Sequence, residues 1–372
     1  MGFQIIRPNT NYDFMAKRRL ALILSLILLL AGLLSLAVKG GPRLGIDFAG
    51  GVVLQVQFEP EVDISELHNI IQPAGLPGLT IQNFGANEYL LRTSADEMTP
   101  SDVRVAVQNA LLEQFEQGDF SFQRLEMVGP RVGAELRENA LQALFFAVLL
   151  ISIYISGRFE QKWFIAGFMA AGLALGVYLL QIIAVPLVFL ILAALLIAIL
   201  FTWYLRLSFA LGAVLALIHD VLITVGIFSL LNKEFDLSIV AALLTIIGYS
   251  LNDTIVIFDR VRENMRKKIS TSLTQTINAS LNQTLGRTLV TSGTTLMVVL
   301  SLLILGGGII HDFAFALLVG VLVGTYSSIF VASSILLHLR PALPEEDEDE
   351  EETEETRQIR RHAKKKPAYD AR

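Results

Sequence analysis

The chain is 372 residues long, 53% hydrophobic and only 17% charged, with a mean hydropathy of +0.58. A soluble domain carries about a quarter charged residues, so that class is excluded. There is no cysteine, which excludes disulfides and thiolate metal sites, and five scattered histidines without an H-E-x-x-H pattern leave no metal expected. The net charge of −6 hides an asymmetry. Ten acidic residues crowd into "EEDEDEEETEE" at 345–355, and the rest of the chain is net basic, with no nucleic-acid partner expected.

Residues 1–19 read as a cytoplasmic N-terminus. The first apolar segment, 20–38, follows "AKRR" and ends in "LAVKGGPRLG", a poor cleavage site, so it reads as an uncleaved signal anchor. The polar region 39–136 alternates in type. Strands are expected at 51–58, 79–84, 89–94 and 120–128, and helices at 63–72 and 101–115, each opening on a Ser or Asp cap signal. The order β-α-β-β-α-β is the ferredoxin-like arrangement. At its entrance, "GIDFAGG" places Gly45, Gly50 and Gly51 around Asp47; it reads either as a hinge or as a plain tight turn.

Further spans are expected at 137–157, 163–183, 186–205, 208–231, 237–258, 284–305 and 313–338, each near the length that crosses a bilayer. Lys and Arg collect at the N-terminus, at 158–162, at 206, at 259–283 and in the tail, while "AVP" (184–186), "NKEFD" (232–236) and "GGGIIHD" (306–312) share one lysine. This places both termini in the cytoplasm and 39–136 outside. The segment 259–283 is expected as a helix along the cytoplasmic surface. The tail, 339–372, is expected to be disordered. The predicted class is a polytopic α-helical membrane protein with a small α+β outer domain, its bundle occupying 137–338.

On the span 237–258, Thr245, Gly248, Tyr249, Asn252 and Asp253 fall at i, i+3, i+4, i+7 and i+8 and share one helical face. An ionised carboxylate near lipid costs roughly 2.5 kcal/mol or more on insertion scales, so this face should meet other helices or water. The next span supplies a cation, Arg287, and the span 208–231 brings His219 and Asp220 near mid-membrane. A desolvated carboxylate that loses its neighbouring cation takes up a proton, which is the elementary step of a relay. Against that stand plainer roles: a snorkelling Arg287, an Asp253 that reaches headgroup water, a packing role for His219. "GLALG" (172–176) and "GVLVG" (320–324) read as helix-packing motifs.

"GIDFAGG" (45–51), "VGPRVGAEL" (128–136), "GYSLNDTIVIFDRVREN" (248–264), "LNQTLGRTLVTSGTTL" (281–296) and "GTYSS" (324–328) together resemble the signature blocks of the SecF family of protein-export membrane proteins. The resemblance covers nearly the whole chain outside 160–205 and the tail. It implies a subunit that partners SecD in a proton-driven accessory to the SecYEG translocon, with YajC as a further associate, in the bacterial inner membrane. It also implies an outer domain that engages the emerging unfolded preprotein. No cofactor is implied beyond the proton gradient, and no enzymatic activity. The family's functional aspartate and arginine fall on Asp253 and Arg287, with Asn252 and Asp220 at matching positions. The chain departs from the pattern in about 45 residues between Glu160 and Phe209, apolar enough for an extra pair of spans. A proton-driven efflux transporter of the same superfamily is the alternative, though such proteins carry larger outer domains. An intramembrane hydrolase would need a carboxylate dyad, which the separation of Asp220 and Asp253 does not offer.

Overall fold

In the computed structural model, residues 10–341 are described, apart from 60, 86, 95–97, 161–162 and 182–186. The expectation for the charged tail falls almost wholly outside the described residues. The chain enters the bundle through α1 (Arg18–Lys39), which buries Ala21, Ser25 and Gly32. All three are small and lie four and seven residues apart, so α1 offers one narrow seam to the bundle and its broad apolar face elsewhere. Gly40, at φ 74°, closes the helix in the left-handed region.

A four-residue helix, α2 (Ile46–Ala49), leads into the outer domain. There β1 (Gly51–Phe58), α3 (Ile64–Ile71), β2 (Thr80–Gly85), β3 (Glu88–Thr93), α4 (Pro100–Leu112) and β4 (Phe120–Val128) follow in the expected order. The sheet order is β2-β3-β1-β4, all neighbours antiparallel, which is the ferredoxin-like topology. Period-two alternation puts Val52, Leu54, Val56 and Phe58 of β1 on the face covered by α3 and α4, where they pack with Leu67, Ile71, Val103, Val107 and Leu111. Both helices start on side-chain caps. Asp63 accepts from the Ser65 amide at 2.7 Å, and Thr99 and Asp102 form a reciprocal capping box ahead of Pro100.

The bundle comprises α5 (Pro130–Glu160), α6 (Trp163–Gln181), α7 (Leu187–Tyr204), α8 (Ser208–Leu230), α9 (Leu237–Arg266), α10 (Leu273–Leu305) and α11 (Gly307–Ser327). The chain then makes a π-helical turn at Ser328–Ala332 and ends in α12 (Ser333–Leu339). Among the described residues six helical runs are long and apolar enough to cross a membrane: Met15–Lys39, Pro130–Phe159, Ser208–Leu230, Leu237–Arg266, Leu273–Leu305 and Ile310–Leu339. The expected extra pair appears as the two further apolar helices α6 and α7, set against α5 and α8. Phe159, Phe209 and Phe258 lock α5, α8 and α9 together, with ring centroids 5.2 to 6.1 Å apart.

The segment 259–283 differs from its expectation. There is no separate surface helix: α9 runs on to Arg266, α10 begins at Leu273, and only 267–272 turn between them. The charges that suggested a surface element instead extend α9. Glu263 pairs with Arg260 and Lys267 at 2.7 Å each, at i−3 and i+4. Asn264 ties the extension to α10 by donating to Ser280 at 2.8 Å and Gln283 at 3.1 Å. Asp253 is therefore the seventeenth residue of a thirty-residue helix rather than one near its end.

Candidate functional site: a buried polar seam

Four helices supply the seam. Asp220 on α8 is 1% exposed and accepts three hydrogen bonds. Ser250 of α9 donates to its Oδ2 at 2.6 Å, Ser327 of α11 to the same atom at 2.8 Å, and His219 Nδ1 lies 2.8 Å from Oδ1. With its proton on Nδ1 the imidazole is a third donor, and the three together fix the place of the carboxylate. Ser327 adjoins the π-helical turn at Ser328–Ala332, a feature often found at functional sites.

Asp253, 2% exposed, is held differently. Its one hydrogen bond among the described residues is a long one, from Ser292 of α10 at 3.4 Å; Ser292 in turn pairs with Thr325 of α11 at 2.7 Å. Arg287 stands on α10 five residues before Ser292, and among the described residues it forms no ion pair with Asp253. Ser250 donates to Asp220 and stands one turn before Asp253 on α9, so the two carboxylates belong to one polar seam. The two carboxylates are held differently: Asp220 sits among three polar side chains, whereas Asp253 is buried with one long hydrogen bond among the described residues.

The face expected to carry Asn252 together with Asp253 divides. Asp253, Ser250 and Thr254 are buried, whereas Thr245, Gly248 and Asn252 are exposed, as is Arg287 on α10. At 100° per residue Asp253 sits on the border between the two sets. The structure thus joins Asp253 to Ser292 and leaves Asn252 and Arg287 on an open polar strip beside it. His219, expected as a hydrogen-bonded packing residue, is buried and bonds to Asp220; among the described residues its Nε2 has no hydrogen-bond partner, nor have Tyr249 Oη and Thr288 Oγ1. Sequence reading passed over Ser250, Ser292, Thr325 and Ser327. All four lie in the quoted blocks, Ser250 one turn from Asp253, but hydroxyls are common in membrane helices.

Gly45, Asp47, Gly50 and Gly51 lie elsewhere, at the seat between the outer domain and α9. Asp47 Oδ2 accepts from the Leu237 amide at 3.0 Å, and the Gly45 amide donates to Phe235 O at 2.8 Å. Gly50 (φ 76°) and Gly51 (φ 129°) adopt conformations open to glycine, and a Cβ would meet Pro130 Cα at 2.9 Å or Thr93 O at 2.7 Å. Of the two packing motifs, "GVLVG" sets Gly320 and Gly324 directly on Ile246 and Ser250 of α9, whereas a Cβ added at Gly172 or Gly176 would meet nothing within 4 Å among the described residues.

The family model for the protein export membrane protein SecD/SecF C-terminal region matches residues 107–185 and 172–342, and that for the SecD/SecF GG motif matches 35–62. This chain belongs to the SecD/SecF family. The two C-terminal matches overlap inside α6–α7, and the GG match contains Gly50 and Gly51. Among relatives, the protein translocase subunit SecF of Magnetococcus marinus is 41% identical over 342 residues, 91% of this chain and 95% of that one. The SecF of Escherichia coli O157:H7 is 37% identical over 346 residues, 90% of each chain. Among solved structures, SecDF from Thermus thermophilus, titled a translocon-associated membrane protein, aligns with a TM-score of 0.69 and 32% identity over 90% of this chain. This SecD/SecF member spans 40% of that SecDF chain.

Proposed function

We propose that this chain is the SecF-type subunit of a SecD–SecF complex that uses the proton-motive force to promote export of unfolded preproteins through the SecYEG translocon, with YajC as an associate. The single observation that carries the reading is the buried, loosely held Asp253 with Arg287 beside it. It acts as a transport subunit and makes or breaks no covalent bond. Both termini lie in the cytoplasm, and 39–136 lies in the periplasm, as the distribution of Lys and Arg requires. The efflux reading finds no support among the relatives, whose names are those of SecF.

The exposed strip of Thr245, Asn252 and Arg287 supports a partner. A guanidinium and an amide at membrane depth are not left to lipid, so a second helical subunit covers this side of the bundle, and SecD is that subunit. In the cycle, ionised Asp253 attracts Arg287. A proton from the periplasmic side neutralises the acid and releases the arginine, α9 and α10 shift, and the outer domain reorients with its polypeptide. Release of the proton to the cytoplasm resets the pair. The membrane potential supplies about 2.3 kcal/mol per charge per 100 mV, so a stroke of several kcal/mol takes more than one proton.

Asp253→Asn is isosteric and keeps the Ser292 contact, but cannot carry charge. Export of secreted precursors in cells relying on this variant with SecD is expected to fall to that of cells lacking the chain. Export at the parental rate would refute the relay.

A further inference from the structure

The six-residue connection between α8 and α9, 231–236, contains a carboxylate with no part in the seam. Glu234 has a side chain only 14% exposed and draws donors from three separate places in the outer region. Arg92 of β3 pairs with its Oε2, Gln82 of β2 donates to Oε1 at 3.0 Å, and Arg43, on the segment after α1, approaches Oε1 at 3.6 Å. An exposed ion pair contributes about 0 to 1 kcal/mol, but a partly buried carboxylate shared by two guanidinium groups and an amide fixes geometry.

The backbone repeats the connection. Leu44 and Phe235 form a parallel bridge, in which the Phe235 amide donates to Arg43 O at 2.7 Å and the Gly45 amide to Phe235 O at 2.8 Å. Two residues later α9 begins, with Asp236 capping the Ile239 amide and Asp47 accepting from the Leu237 amide. The one left-handed residue of the connection, Asn232 (φ 54°), lies on its α8 side, so the turn is made before Glu234 and not after it. From Leu237 the helix is uninterrupted through Asp253, sixteen residues or about 24 Å at 1.5 Å per residue.

We propose that Glu234 is a positioning residue for the transport stroke: clamped by Arg92, Gln82 and Arg43, it couples displacement of α9 to the outer domain. The proposal rests on Asp253 being the proton carrier. Its physical content is that a helix without a hinge between the acid and the clamp moves both ends together, while the clamp reaches two strands of the sheet. Without Glu234, protonation of Asp253 still moves α9, but the sheet loses its side-chain tie and follows only through the backbone bridge at Leu44–Phe235 and the Asp47 contact, so most of the stroke is lost.

The test uses the full chain with SecD in inverted inner-membrane vesicles, reading proton flux with a pH-sensitive dye and export as protease-protected precursor. Glu234→Gln and Arg92→Gln are each expected to lower export about fivefold or more, toward the Asp253→Asn level, with flux within about twofold of the parent. The double variant is expected to be no worse than either single one, since the two residues act as a unit. Export and flux both at parental values would overturn the proposal. So would a parallel loss of both, which is the signature of a fold contact alone. Asp253→Asn separates the two claims: flux that survives it sinks the relay itself, whereas flux that it abolishes, with export intact in Glu234→Gln, sinks only the coupling.

Discussion

Gly226 of α8 and Gly32 of α1 meet backbone to backbone. A Cβ built on Gly226 would lie 2.8 Å from Gly32 Cα, and one on Gly32 would lie 2.7 Å from Gly226 Cα. No side chain is available to rotate away, so Gly226→Ala must part the helices by about 0.8 Å to reach ordinary contact near 3.6 Å. Overpacking of this kind costs about 1–3 kcal/mol. The nearby Ser35–Ser229 hydroxyl pair, at 2.8 Å, would stretch as well, at about 0.5–1.5 kcal/mol. The expected loss is about 2–4 kcal/mol. With an unfolding entropy near 2.1 cal/mol/K per residue, that lowers the thermal midpoint by about 3–5 °C. Gly32→Ala should behave alike, because the approach is symmetric. Thermal unfolding of the purified full chain in detergent, followed by near-UV circular dichroism, reads the shift. A midpoint within about 1 °C of the parent for both variants would mean that the helices do not cross this closely.

Further outcomes concern the seam and the junction. Ser250→Ala and Ser327→Ala each remove one donor from a buried carboxylate, at about 1.5–3 kcal/mol apiece; thermal unfolding of the double variant should show a loss larger than either single one, and equal midpoints would contradict the network. Asp47→Ala strips the Leu237 amide of its acceptor, so hydrogen exchange at that amide should accelerate about tenfold, and unchanged exchange would contradict the docking of "GIDFAGG" on α9. In the outer domain, hydrogen bonds from Ser65 to Asp63 and from Thr99 to Asp102 hold both carboxyls below their ordinary value of 3.8. Their contribution is complete above that value and lost as the pH falls through the lower folded values. The thermal midpoint of the outer domain should therefore stay flat from pH 7 to about 5 and drop below about 3.8, and a loss beginning at pH 6 would point to other groups.

Much of this architecture was legible from local pattern. Apolar runs of bilayer length, period-two strands and caps each depend on near neighbours, and the outer domain followed in order, with Asp63 capping α3 as expected and Thr99, two residues before the expected Ser101, capping α4. The pair α6–α7 was also visible as composition alone. The helical extension through 259–266 was not: its charges satisfy one another at i, i+3 and i+4, and only the pairing of Asn264 with α10 shows that α9 continues instead of turning.

That acids lie within apolar helices, at Asp220 and Asp253, is visible in one dimension, because a charge interrupts a hydrophobic run. How tightly each is held is a matter of which helices fold against it. Three donors converge on Asp220 from α8, α9 and α11, and the single long bond to Asp253 comes from α10, so the distinction is made by helices far apart in the chain. Glu234 shows the same limit more sharply. In "NKEFD" it is one surface charge among several, and its character comes from Arg92, Gln82 and Arg43, more than a hundred residues away, which fold brings to a single carboxylate.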